Sequence, residues 1–352
     1  MPATAQTELP GQADAGHLAA LPAHDPESGL ALPTLLDVYR ARQVVDRYLA
    51  PTPLIQPPAL GELLGCNAYV KCENLQPIGA FKVRGGINLL SQLSPAELGR
   101  GVVTASTGNH GQSIAYAARL FDARATIHMP ERANPLKVAA MRRFGADVVF
   151  SGVDFDTCTG AAEADAAARG AYFVHTSNEP RLIAGVGTYA LEIIEEVPDL
   201  DVLIVPVGGG SGASGACIAG KGINPRLRVI AVQAEGAPAV YETWRSGRFV
   251  AHDRVDTFAE GMATRVSHSL PAQILWRRLD DFRLVSDQDL RRAILTLLTT
   301  TGLLAEGAGA AALAAAYAMR HDLAGRNVAL VLSGGNLTLD ALAGALATEQ
   351  PW

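Results

Sequence analysis

Lys82 stands in the stretch ENLQPIGAFKVRGGINLL, residues 73–90, behind Gly-Ala-Phe and ahead of an arginine and two glycines that read as the start of a helix. An amine in a glycine-flanked turn can lose its proton when desolvated, and a neutral amine condenses with an aldehyde. Further along, VLIVPVGGGSGASGACIAGKG runs from strand-like residues into a helix-like stretch. Gly208, Gly209 and Gly210 let a ligand approach the backbone there, and the N–H groups of a helix start favour an anion such as a phosphate. A lysine plus a phosphate cradle suits an aldehyde cofactor held at both ends. Taken alone, Lys82 also fits a solvated first-turn lysine, and the glycines also fit a tight strand–helix turn.

A rival chemistry is written into the same glycines. Gly210, Gly212 and Gly215 match G-x-G-x-x-G, and Glu235 ends the next strand-like run, which is the pattern of a dinucleotide site. A nucleotide-binding oxidoreductase is therefore the alternative from another class.

The elements that must position these residues are legible as an alternation. Short β-branched runs (GVVTAS, RATIHMP, ADVVFSG, AYFVH, VLIVPV, LRVIAVQAE, FRLVS, NVALVLS) are separated by stretches of helical period. That pattern predicts an α/β protein with parallel sheets covered on both faces. Glycine-rich turns, STGNHG, GGGSGASG and GGN, follow three of the runs. Ligands in such sheets sit at the carboxyl ends of strands, so the three turns predict one shared site. Residues 101–178 are expected to form a small domain, with 34–100 and 179–352 building a larger cofactor-binding domain and the site in the cleft between them. Residues 1–33, rich in Pro, Ala, Gly and Asp, read as a flexible tail without a signal peptide. The segment from Gly302 to Met319 is mostly Ala and Gly, broken by Glu306, and predicts a buried helix close to a sheet rather than a membrane span.

Composition excludes other classes. The 352 residues carry a formal net charge of −6, leaving no basic field for nucleic acid. Four scattered cysteines have neither metal-knuckle nor disulfide spacing, which fits a cytoplasmic protein.

ENLQPIGAFKVRGG, STGNHGQSIAYAA, PVGGGSG and LSGGN, in that order, with AGVGTYALEI and GLLAEGAGAAALAA, resemble the fold-type II pyridoxal-phosphate enzymes, specifically the threonine/serine dehydratase and serine racemase group. The resemblance runs from about Leu35 to Leu346 and implies a tryptophan synthase β-like fold of two lobes, each with a mainly parallel sheet flanked by helices. It implies pyridoxal 5'-phosphate in Schiff-base linkage to Lys82, with Lys82 also the base for the Cα proton and Phe81 packed near the pyridine ring. Gly208, Gly209, Gly210, Ser211 and Gly212 would hold the phosphate, Ser211 standing where the family usually has a fourth glycine. Asn109 would bond the phenolic oxygen, although "GN" also predicts a turn asparagine. Ser106, Thr107, Gly108 and His110 would bind the substrate carboxylate, His110 reading equally as a histidine packed at a helix start. Ser333 would face the pyridine nitrogen, and Glu306 would line the same region or act as a helix-dipole partner.

The implied reaction is α,β-elimination from L-threonine, L-serine or a related β-hydroxy amino acid, giving a 2-oxo acid and ammonia. Thr107, where dedicated dehydratases often carry alanine and racemases serine, keeps a racemase on the same scaffold as an alternative. Ala80 and Val186 also depart from the usual residues. The divalent-cation pair of some relatives is absent, because Glu235 is followed six residues later by Tyr241. No metal is expected. The chain stops soon after LSGGN, so no regulatory domain and no isoleucine feedback are expected. A homo-oligomer, dimer or tetramer, is implied, with a small amino acid as its partner and neither nucleic acid nor membrane.

Overall fold

The computed structural model describes residues 20–352 apart from 132, 134 and 154. Its strands are β1 (Leu54–Ile55), β2 (Asn67–Cys72), β3 (Val102–Ala105), β4 (Ala125–Met129), β5 (Asp147–Phe150), β6 (Tyr172–Phe173), β7 (Val202–Pro206), β8 (Arg228–Ala234), β9 (Asp281–Val285) and β10 (Asn327–Leu332). They form two sheets, one in the order β1-β2-β10-β7-β8-β9 and one in the order β5-β4-β3-β6. Every pairing is parallel except β1 with β2. The eight β-branched runs of the sequence supply β3 to β10, and helices lie between them as expected. The smaller sheet draws only on residues 102–173.

Its core, however, is shared with chain that precedes it. Val83, Ile87 and Leu90 of the helix Lys82–Leu90 pack with Val102, Ile114 and Ile127 in one buried cluster. The two glycines of "RGG" make this possible. A Cβ on Gly86 would collide with Ser113 of the helix Asn109–Leu120, and one on Gly85 would stand 3.0 Å from the Leu182 carbonyl of the helix Pro180–Val186. The lysine helix is thus clasped between elements of both lobes at backbone distance.

The alanine-rich segment forms the helix Gly307–Ala318, buried from Gly307 to Ala316. Methyl-sized side chains let it lie close against the larger sheet, where it shares a core with Val202, Ile204, Val328 and Leu330. No helix among the described residues is long and apolar enough to cross a membrane.

Of the expected tail, residues 1–19 lie outside the described residues. Residues 20–33 pack onto the larger lobe. His24 and Ala31 form an antiparallel bridge, Leu32 joins the core, and the fully buried Asp25 accepts a 2.6 Å hydrogen bond from Ser269 Oγ. Composition could not reveal this, because the anchoring partner lies 244 residues away.

Candidate active site

Lys82 is the first residue of its helix, and a strand end fixes its place. The N–H of Phe81 donates to the Ser333 carbonyl at 3.0 Å, and Ala80 bridges Gly334, so the turn before the lysine is stitched to the turn after β10. Lys82 Nζ then reaches 2.7 Å from Ser211 Oγ, across 129 residues of sequence. Burial brings its ammonium down to about 8, because water no longer solvates the charge.

A buried ionic network anchors the lysine helix from below. Arg84 and Glu73, both fully buried, form a forked pair, with Nε to Oε2 at 2.8 Å and Nη2 to Oε1 at 2.7 Å. The same guanidinium donates to both Glu192 oxygens, at 2.6 and 2.9 Å, and to Thr188 Oγ1 at 3.2 Å. Lys71 Nζ completes the set at 2.6 Å from both Glu192 Oε2 and the Thr52 carbonyl. Two cations and two carboxylates cancel, and almost every donor has an acceptor, which is the condition under which buried charge is tolerated. Burial alone would push the Glu73 carboxyl up, but Arg84, Thr52 and Lys71 together hold it below the usual carboxylate range.

The glycine loop joins β7 to the helix Ser211–Ile223. Side chains are excluded by their surroundings. A Cβ on Gly208 would run into the Gly261 carbonyl oxygen, one on Gly209 into Ser177 Oγ, and Gly210 has φ +95°. Gly212 lies flat on Phe81, whose ring would be 3.1 Å from a Cβ there, while Tyr189 Oη donates to the Gly212 carbonyl at 2.9 Å and meets Phe81 edge-on. Phe81 thus supports the floor of the loop. The third glycine of the dinucleotide pattern serves helix packing instead, since a Cβ on Gly215 would stand 2.7 Å from the Gly187 amide. Glu235 is exposed at the end of β8 and does not line the cavity. Both facts remove the nucleotide-site reading.

The turn after β3 opens the helix Asn109–Leu120. Ser106 Oγ accepts from the N–H groups of Gly108 and Gly111, at 3.1 and 2.8 Å, so the Gly108 donor expected to face a ligand is already used. His110 is buried and does not pack on its own turn. Its Nε2 is 3.0 Å from Thr104 Oγ1, and that hydroxyl gives its proton to the Val174 carbonyl at 2.8 Å. Nε2 must therefore be the donor, which leaves Nδ1 a bare acceptor; it is buried and has no partner. Burial, with Lys82 nearby, lowers the His110 ring well below its ordinary range and keeps it neutral.

Asn109 is held at both ends. Asn336 Nδ2 donates to the Ile78 carbonyl at 2.8 Å and to Asn109 Oδ1 at 2.7 Å, and Asn109 Nδ2 donates to Glu306 Oε1 at 2.6 Å. Since the Ile78 carbonyl can only accept, the whole chain of amides has one orientation. Glu306 is both things expected of it: the residue that precedes the helix Gly307–Ala318 and a wall of the site. Burial raises its carboxyl, partly offset by Lys137 and Asn109.

These elements enclose one cavity of about 750 Å³ between the two sheets. Phe81, Lys82, Ser106 to His110, the loop Gly208 to Gly212 and Ser333 all line it. The glycine loop has no room for a Cβ at Gly208, Gly209, Gly210 or Gly212, which leaves its backbone bare, and it adjoins a buried amine of lowered basicity, so the residues fit a phosphorylated aldehyde. The sequence reading missed His175, Ser177, His268, Lys137 and Glu260, which share the wall. His175 Nδ1 accepts from the N–H groups of Ser177 and Asn178, and its ring meets His268 edge-on at 4.7 Å. Only the position of "VH" at the end of a strand-like run hinted at His175. Among the described residues no cluster of His, Cys, Asp or Glu is arranged to hold a metal ion.

A family model described as pyridoxal-phosphate dependent enzyme matches residues 45–334. An L-threonine ammonia-lyase of Thermotoga maritima is 40% identical over 309 residues, 88% of this chain and 77% of that protein. The processed form of threonine deaminase isoform 2 from Solanum lycopersicum superposes with a TM-score of 0.84 at 29% identity, over 96% of this chain and 93% of the other. Serine racemase from Dictyostelium discoideum superposes with a TM-score of 0.82 at 33% identity, over 87% and 99%. With the lysine, the glycine cradle and the two-sheet architecture in place, the chain belongs to the pyridoxal-phosphate-dependent enzymes of fold type II.

Proposed function

We propose that the protein is a pyridoxal-phosphate-dependent ammonia-lyase that converts L-threonine, L-serine or a related β-hydroxy amino acid to a 2-oxo acid and ammonia. The observation that carries this reading is Lys82 Nζ, desolvated and within hydrogen-bond reach of the glycine loop, in a cavity walled by the Ser106–His110 turn. When bound, the cofactor supplies an electron sink for the pair left at Cα once its proton is removed. The N–H groups at the start of the helix Ser211–Ile223, with Ser211 Oγ, would hold its phosphate, a charge that the helix dipole favours. Asn109, fixed by Asn336 and Glu306 on the cavity wall, would have one amide hydrogen left for the cofactor's phenolic oxygen. Ser333, which lines the cavity, would offer the ring nitrogen a neutral hydroxyl.

The turn from Ser106 to His110 orients the substrate by its carboxylate, and Lys82 Nζ, uncharged near neutral pH more often than an exposed lysine, takes the Cα proton. The β-hydroxyl departs as water, and water re-enters when ammonia is released, so the net change is amino acid to 2-oxo acid plus ammonia. We further propose a cytoplasmic homo-oligomer. Four reduced cysteines, all buried, suit a reducing compartment, and Leu36 and Tyr39, 56% and 44% exposed on the helix Leu35–Val45, offer apolar surface to a second copy.

The test is a panel of L-threonine, L-serine and bulkier β-hydroxy amino acids scored by 2-oxo acid release and chiral analysis, with Lys82→Ala as control. The variant should lose both the yellow colour and the product. Persistent D-serine with little pyruvate would mark a racemase instead.

A further inference from the structure

Lys137, on the helix Pro135–Arg143 of the smaller lobe, is ion-paired through Nζ with Glu260 Oε2, on the single turn Glu260–Met262 of the larger one. The pair spans the cavity wall. Its two halves differ in environment: the lysine side chain is 11% exposed, the glutamate 52%. A half-exposed carboxylate returns little stability to a cation drawn out of water, so the pairing does not by itself explain why Lys137 is buried here. What Lys137 covers does. Its Nζ lies 3.7 Å from the place a Cβ on Gly108 would take, over the turn that receives the substrate. Glu306, on the opposite wall, is close enough to oppose the lowering of its basicity that burial causes.

Part of the turn is already engaged, because the N–H groups of Gly108 and Gly111 go to Ser106 Oγ, leaving those of Thr107, Asn109 and His110 for a carboxylate, which accepts up to about four hydrogen bonds. Backbone amides carry no full charge; a cation beside them would add one, and charge-assisted hydrogen bonds are the strong ones.

We propose that Lys137 binds the α-carboxylate of the amino-acid substrate at the Ser106–His110 turn, and that Glu260 holds its Nζ over that turn until the carboxylate arrives. The assignment rests on the amino-acid reading given above. Substrate then exchanges one carboxylate partner for another, so Glu260 is a competitor whose removal strengthens binding. That sign separates a ligand pair from a structural bridge, for which loss of either partner weakens the same thing.

The experiment compares the cofactor-loaded parent, Lys137→Met, Lys137→Arg and Glu260→Gln, with the preferred β-hydroxy amino acid as substrate and 1-amino-2-propanol as inhibitor. The amine carries the nitrogen and the hydroxyl but no carboxylate. Lys137→Met should raise KM by about 10–100-fold, more than it lowers kcat. Inhibition by the amine should stay within about two-fold, Lys137→Arg should recover most of the loss, and Glu260→Gln should lower KM. The proposal is overturned by a KM in Lys137→Met within about two-fold of the parent, by a parallel loss of amine inhibition, or by a raised KM in Glu260→Gln. The last variant sits on the exposed partner and decides the matter even if Lys137→Met does not fold. A parent that releases no 2-oxo acid sinks the dehydratase reading together with this one, whereas an active parent with an indifferent Lys137→Met sinks the lysine assignment alone.

Discussion

Replacing Arg84 by methionine removes the one group that serves both buried carboxylates beneath Lys82. Glu192 keeps Lys71 at 2.6 Å, but Glu73 is left with Thr52 and Gln76, at 2.6 and 3.3 Å, and with Lys71 as a nearby charge that it does not touch. Removing one partner of a buried pair costs about 3–5 kcal/mol, a large share of a typical stability of about 5–15 kcal/mol. The cost should depend on pH in a direction the network dictates. In the parent, Arg84 holds the Glu73 carboxyl low, so the stability it contributes is present above the unfolded carboxyl value of about 4.3 and is lost only as pH falls through the lower folded value. In Arg84→Met, burial acts unopposed by the guanidinium, so Glu73 titrates above its unfolded value and the variant loses stability as pH rises through that value. The gap between the two proteins is therefore widest at neutral pH and narrows toward pH 5. Urea denaturation of both at pH 7.5 and pH 5 measures it. Arg84→Lys, which keeps the charge but not the fork, should fall between them. A neutral-pH loss below about 1 kcal/mol, against the 3–5 expected for a broken buried pair, would refute the reasoning, as would a gap that does not change with pH.

Two further outcomes follow from the cofactor end of the site. Gly208→Ala should weaken retention of pyridoxal phosphate by about 10–100-fold, the equivalent of an overpacking cost of about 1–3 kcal/mol, and Gly209→Ala by less. The first meets the Gly261 carbonyl, which is backbone, and the second a serine hydroxyl that can rotate away; equilibrium dialysis of the two variants ranks them. The cofactor-free protein should capture pyridoxal phosphate faster as pH rises, with a midpoint near 8 set by the buried Lys82 amine, and stopped-flow absorbance that instead placed the midpoint above 10 would show Lys82 to be solvated.

Much of the site was readable before any fold existed, because its chemistry is local. A phosphate cradle needs glycines between a strand and a helix, and the required backbone freedom is a property of Gly208 to Gly212 themselves. The three glycine turns fell at strand ends because parallel sheets put their connections there, and so Lys82, Asn109 and Ser333 came to one cavity. The family resemblance added roles to residues whose types already suggested them.

What sequence could not decide were the partners. Lys82 meets Ser211 across 129 residues, Asn109 meets Glu306 across 197, and Lys137 meets Glu260 across 123. Hydrogen-bond donors and charges carry no mark of the acceptor they will find, so the use of two turn N–H groups by Ser106, the tautomer of His110 and the neutral balance around Arg84 all waited on the packing of two sheets. The amino-acid order determined which groups were available and where the backbone could bend. Tertiary structure alone determined which of those groups were already satisfied, and hence which remained free to act.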